Sequence, residues 1–127
     1  MNILLWVLQI LLAAVFLAHG LLLLSPPPEI AAQMLAVFPR WFWLFLGIAE
    51  VLAAVGLILP GVTRISPWLL TWAAVGIMFV MISATIYHVV RGEISSAGIT
   101  LVLLGMATYV AYMRHRVLPI GARRAVT

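Results

Sequence analysis

Glu50 interrupts the stretch Phe45–Pro60, FLGIAEVLAAVGLILP, which is otherwise apolar. A carboxyl group in such a run faces hydrocarbon or packed protein, and either setting is costly unless a partner compensates. In the neutral form it donates one hydrogen bond and accepts others; ionised, it only accepts. It is therefore the residue best placed to exchange protons. His19, in FLAHG, and His88, in IYHVVRGE, are the candidate partners, because imidazole changes charge near neutral pH. Glu50, His19 and His88 form the candidate catalytic set. Gln9, Met81 and Thr85 are the candidate contacts to a cofactor, since they fall on helix faces that also carry His19 or His88. Each has a structural alternative: Glu50 as a neutral acid bonded to Gln9 or a backbone carbonyl, the histidines as interfacial caps, and the methionine stripe as core packing.

The elements that hold these residues follow from composition. Of 127 residues, 66% are hydrophobic and 8% charged, against about half and a quarter in a soluble domain. Residues 2–24, 41–59, 67–90 and 95–113 are each apolar enough to cross a bilayer, which takes about 20 residues. The sequence predicts an all-α integral membrane protein: a single four-helix antiparallel bundle with short connections. The first span lacks a basic leader and a small-residue cleavage site, so it reads as a retained helix. Four spans leave no chain for a separate catalytic domain, and no metal site is expected. Without cysteine, thiolate ligation and disulfide chemistry are excluded. HExxH, phosphate-binding loops and nucleophile elbows are likewise missing.

The seven cationic residues are all arginine. Four follow the last span and Arg64 lies between the second and third, while only Arg40 and Arg91 lie on the other side. This asymmetry predicts both termini in the cytoplasm of a multi-pass inner-membrane protein. It also explains the positive charge without nucleic acid. The first connection, SPPPEIAAQMLAVFPR, should form a short extracytoplasmic interfacial helix, started by its prolines and carrying Glu29 in its first turn. PGVTRISP reads as a proline–glycine turn and RGE as a tight one.

Helical periodicity places Gly47, Ala49, Glu50, Ala53, Ala54 and Gly56 on one arc, opposite Leu44, Ile48, Leu52, Val55 and Leu59. Small residues admit neighbouring backbones and large aliphatics suit lipid, so Glu50 should face the bundle. Gln9, Ala13, Phe16 and Gly20 share a face of the first span, with His19 at its edge. Ala74, Met78, Met81, Thr85 and His88 line the third, and Ala97, Leu101, Leu104, Thr108 and Ala111 the fourth, with Thr100 alongside. At 1.5 Å per residue, His19 and His88 lie roughly 9 and 14 Å outward of Glu50. The polar set reads as one line opening outward. Burial near the midplane disfavours the charged form of Glu50 unless a cationic partner lies close.

The order FLAHG, then FPRWFWLFLGIAEVLAAVGLILP, then IYHVVRGE resembles the DoxX-like family of small four-helix membrane proteins, over roughly Leu8 to Tyr112. The resemblance implies a membrane component of redox complexes, such as one linked to thiosulfate:quinone oxidoreductase activity. Distant relatives look like assembly factors or cargo receptors. Many members carry a lysine soon after the glycine that ends the first helix; HGLLLLSPPP has none.

Three functions compete. In the first, the chain contacts a quinone, whose tail needs an apolar slot and whose carbonyls need donors. No flavin or iron–sulfur motif is present, so electrons would come from a partner subunit. In the second it is a non-catalytic accessory or assembly subunit, bound to other membrane protein subunits or to copies of itself as a homo-oligomer. In the third, His19 and His88 are axial ligands to haem b.

Overall fold

The computed structural model describes residues 2–122. Five α-helices follow one another: α1 (Asn2–Leu24), α2 (Pro28–Leu35), α3 (Arg40–Thr63), α4 (Trp68–Val90) and α5 (Ile94–Tyr112), with a π-helical turn at Met113–Val117. The long four are each apolar and long enough to cross a membrane. They alternate in direction, so the start of α1 and the end of α5 share one end of the bundle, here the terminal end. The opposite end carries α2.

The breaks follow from residue type. Pro26 and Pro27 end α1, and Pro28 starts α2 at a position where a missing N–H costs nothing. Glu29 lies in the first turn of α2, as the sequence predicts. The ring of Trp43 ties this helix down: its Nε1–H donates to the carbonyls of Met34 and Phe38, at 2.9 and 3.1 Å. Between α4 and α5 the chain reverses through Gly92, whose φ of +73° suits a residue without Cβ.

The turn expected at Pro60–Gly61 lies further on. α3 continues through both residues to Thr63, with Pro60 inside the helix, and the reversal falls at Arg64 and Ser66, both left-handed. A bilayer offers no water to an unwound backbone, so neighbouring packing keeps such a proline within the helix. Pro60 and Gly61 are both buried.

The four long helices enclose a core of Leu12, Phe16, Leu57, Leu70, Ile77 and Val110, among others. α1 pairs with α3 and α4 with α5, and α3 meets α4 between the two pairs. The α1–α3 contact is backbone to backbone at Gly20 and Gly47: a Cβ on either would stand 3.0 Å from the other's carbonyl oxygen. The outward-facing arc of α3 is confirmed at Ile48, Leu52, Val55 and Leu59, all exposed as lipid-facing residues should be. α5 is turned from its expected orientation. Leu101 and Thr108 are exposed, while Thr100, Ala107 and Val110 join Ala97 and Ala111 inside. This orientation brings the hydroxyls of Thr85 and Thr100 to 2.8 Å from each other between α4 and α5, a polar contact that favours it.

Candidate functional site

Glu50 lies one turn after Gly47 on α3, and His19 immediately precedes Gly20 on α1. The glycine contact draws these two turns together, and His19 Nδ1 comes to 2.6 Å from Glu50 Oε2. One proton lies between them, carried by either partner. The depth separation expected between the two residues is therefore bridged, because Gly20 sits level with Gly47 and both side chains lean toward each other. Glu50 is 2% exposed and the His19 side chain 52%. The buried acid thus reaches the surface of the bundle through the imidazole.

On its other side Glu50 lines a cleft of about 530 Å³ between α3 and α4. Phe16, Ala53, Gly56, Trp72 and Ile77 also line it, and Glu50 is its only ionisable side chain. Small residues create this space. Gly56 touches Ala73, where an added Cβ would stand 2.8 Å away, whereas a Cβ on Gly76 would meet nothing within 4 Å. The exposed Leu52, Leu59 and Trp72 form the outer rim. An apolar slot with one buried acid in its wall suits a lipid-soluble ligand with a polar head.

The remaining polar residues do not extend this site into one outward line. They form three separate clusters. His88 Nδ1 lies 2.5 Å from Glu93 Oε2, and Arg91 Nε donates to Glu93 Oε1 at 3.1 Å. The bonds from His88 and then Arg91 hold the Glu93 carboxyl below the ordinary glutamate range. Arg91 also lies over the Tyr87 ring, 5.3 Å from its centroid. This group brackets the α4–α5 turn. His19 and His88 are each engaged at Nδ1 by a different carboxylate.

Gln9 is fully buried but does not meet Glu50. Its Nε2–H donates to the Leu57 carbonyl at 2.8 Å, and its Oε1 accepts from Arg114 Nε at 2.8 Å. Arg114, which the sequence places just after the last span, is 5% exposed. Thr85 is bonded to Thr100 and to the Met81 carbonyl, and Met81 packs in the core. None of Gln9, Met81 and Thr85 lines the cleft. The structure brings together Glu50 and His19 from the expected set, and leaves His88, Gln9, Met81 and Thr85 apart from them.

Two features escaped sequence reasoning. The inward turn of Arg114 is legible after the fact, since 107, 110, 111 and 114 continue one helical stripe. The cleft had a fainter signal in small residues on both facing helices: Ala49, Ala53 and Gly56 on α3, with Ala73 and Gly76 on α4.

A four-span helical bundle with a buried acid facing an apolar cleft defines a small integral membrane protein. The family model described as the DoxX-like family matches residues 7–110, and the chain belongs to that family. No curated protein and no solved structure shows significant similarity.

Proposed function

We propose that the chain is a membrane subunit of a redox complex, and that a quinone headgroup docks in the α3–α4 cleft against Glu50. The observation that carries this reading is the placement of Glu50, which joins the cleft on one side to His19 on the other. A carbonyl beside Glu50 would accept a hydrogen bond from the neutral acid. Reduction of a quinone to its quinol consumes two electrons and two protons. The electrons come from a redox centre on a partner subunit, and Glu50, renewed through His19, supplies protons. The apolar walls take the prenyl tail, and the exposed rim lets it enter from lipid. The arginine asymmetry supports placing both termini in the cytoplasm and the chain in the inner membrane. A reporter fused after Thr127 should then report from the cytoplasm, and one inserted near Ala32 from the opposite side.

Binding and proton transfer separate experimentally. A short-tailed ubiquinone added to the detergent-purified protein should quench tryptophan fluorescence saturably, with most of the effect lost in Trp72→Phe. Ala53→Phe fills the cleft and should abolish binding. Glu50→Gln keeps the shape and most of the hydrogen bonding, so binding should persist while quinone-linked turnover of the complex fails. Unchanged binding in a folded Ala53→Phe protein would sink the cleft assignment; full turnover in Glu50→Gln would sink the proton role.

A second reading, a non-catalytic accessory subunit, is favoured by the Gln9–Arg114–Asn2 and Thr85–Thr100 contacts. These satisfy buried polar groups within the chain and pin helix register. It requires Glu50→Gln to leave the complex fully active.

A further inference from the structure

Arg114 is a buried cation whose described partners are all neutral. Its Nε donates to Gln9 Oε1, and its Nη1 donates to Asn2 Oδ1 at 2.8 Å and to the Leu118 carbonyl at 3.1 Å. The Trp6 ring covers the guanidinium, 5.4 Å from its centre. Nη2 is buried and has no hydrogen-bond partner among the described residues. The chain has three side-chain carboxylates. Glu50 is bonded to His19, Glu93 to His88 and Arg91, and Glu29 lies on α2 at the far end of the bundle. None reaches Arg114. A guanidinium desolvated without a counter-charge is strongly unfavourable, and its two unused Nη2 hydrogens are donors of the kind that bind phosphate oxygens.

Local structure adds a second argument. α5 gives way to a π-helical turn at Met113–Val117, which holds Arg114 inward against Gln9. Such turns are rare and recur at functional sites. Their position here is telling. Nineteen residues of α5 rise about 28 Å, close to the hydrocarbon thickness of a bilayer. Arg114 therefore sits where lipid headgroups begin, beside Trp6, an aromatic of the kind that marks this boundary. Arg64 and Arg116 are exposed at the same end and attract anions to it. Residues 118–122 have no helix or strand. They cross this end, held where Arg64 Nε donates to the Gly121 carbonyl at 2.7 Å and where Ile120 packs on Gly61.

We infer that Arg114 anchors a phosphate-binding site at the terminal end of the bundle, filled by the headgroup phosphate of an anionic phospholipid. The phosphate pairs with the free Nη2 edge, and the non-helical segment 118–121 swings aside to admit it. This assignment is independent of the quinone reading, because Arg114 does not line the α3–α4 cleft.

The test uses the full chain in an uncharged detergent, with binding followed by thermal shift and by native mass spectrometry. Probes are short-chain phosphatidylglycerol, short-chain phosphatidylcholine and inorganic phosphate. Saturable binding of phosphatidylglycerol should weaken about tenfold or more in Arg114→Gln, the loss expected for a charged hydrogen-bonded pair. Arg116→Gln removes the same charge from the exposed surface and should stay within about twofold, since screened surface charges contribute little. Competition by inorganic phosphate would show that a net anionic phosphate suffices without the lipid body, and its failure would show that the lipid body is required; either supports the anchor. Equal losses in Arg114→Gln and Arg116→Gln, or equal binding of the two lipids by the wild type, would overturn it. If Arg114→Gln fails to fold, Arg114→Lys replaces it, keeping the charge without a donor at the Nη2 position. Wild-type affinity in that variant would refute the site as well.

Discussion

Removing His19 should damage the protein more than removing the buried acid it serves. His19→Ala leaves the Glu50 carboxyl, 2% exposed, without the one side chain bonded to it among the described residues. A buried polar group stripped of its partner costs about 1–3 kcal/mol, more if it stays charged. The loss of imidazole packing is a small addition, because half of that side chain is already exposed. Glu50→Leu is the opposite case. It removes the desolvated group itself and leaves a histidine that reaches headgroups or water, so its cost should lie near zero. The double variant should recover most of what His19→Ala loses, giving a coupling of about 1–3 kcal/mol. Unfolding of the four proteins in a denaturing-detergent titration reads this directly. If Glu50→Leu proves as costly as His19→Ala, or the double variant is additive, the carboxyl has another partner and the assignment of the pair is wrong.

Gly20→Ala places a Cβ 2.9 Å from Val51 Cγ2 and 3.0 Å from the Gly47 carbonyl, and this overpacking should cost about 1–3 kcal/mol. Gly105→Ala meets nothing within 4 Å and should be neutral or gain up to about 1 kcal/mol from helix propensity; equal stabilities would mean that α1 and α3 are not in backbone contact. Thr100→Val breaks the bond between α4 and α5 and should cost about 0.5–1.5 kcal/mol. Thr108→Val, exposed and bonded only to the Leu104 carbonyl of its own helix, should stay within about 0.5 kcal/mol, and the reverse order would return α5 to the orientation its sequence pattern suggests. Because the Glu93 carboxyl is held below its ordinary value of 4.5, its contribution is present above that value and lost as pH falls below it. Protection of the α4–α5 turn amides, corrected for the intrinsic exchange rate, should therefore fall on acidification, and a slope unchanged in Glu93→Gln would assign the effect elsewhere.

Membrane class, the number of spans, the short helix after α1 and the inward direction of Glu50 were all legible from residue types. These depend on local quantities: apolar run length, proline position and the 3.6-residue repeat. The face Gln9–Ala13–Phe16–Gly20 was read correctly for the same reason, and all four residues are buried.

Which residues on those faces meet one another is a different matter, because it depends on the register of one helix against the next. Glu50 finds His19 because two glycines let α1 and α3 touch at that level, and neither helix alone encodes the level. Gln9 was a plausible partner by face, yet register places it against Leu57, and a π-helical turn 105 residues away supplies its second bond. The extension of α3 through Pro60 was hidden because proline stops a helix in water, whereas packing in a bilayer retains it. The cleft exists only between α3 and α4, from small residues that on either helix alone promise a close contact. Periodicity thus decides which way a side chain points, and tertiary packing decides what it touches.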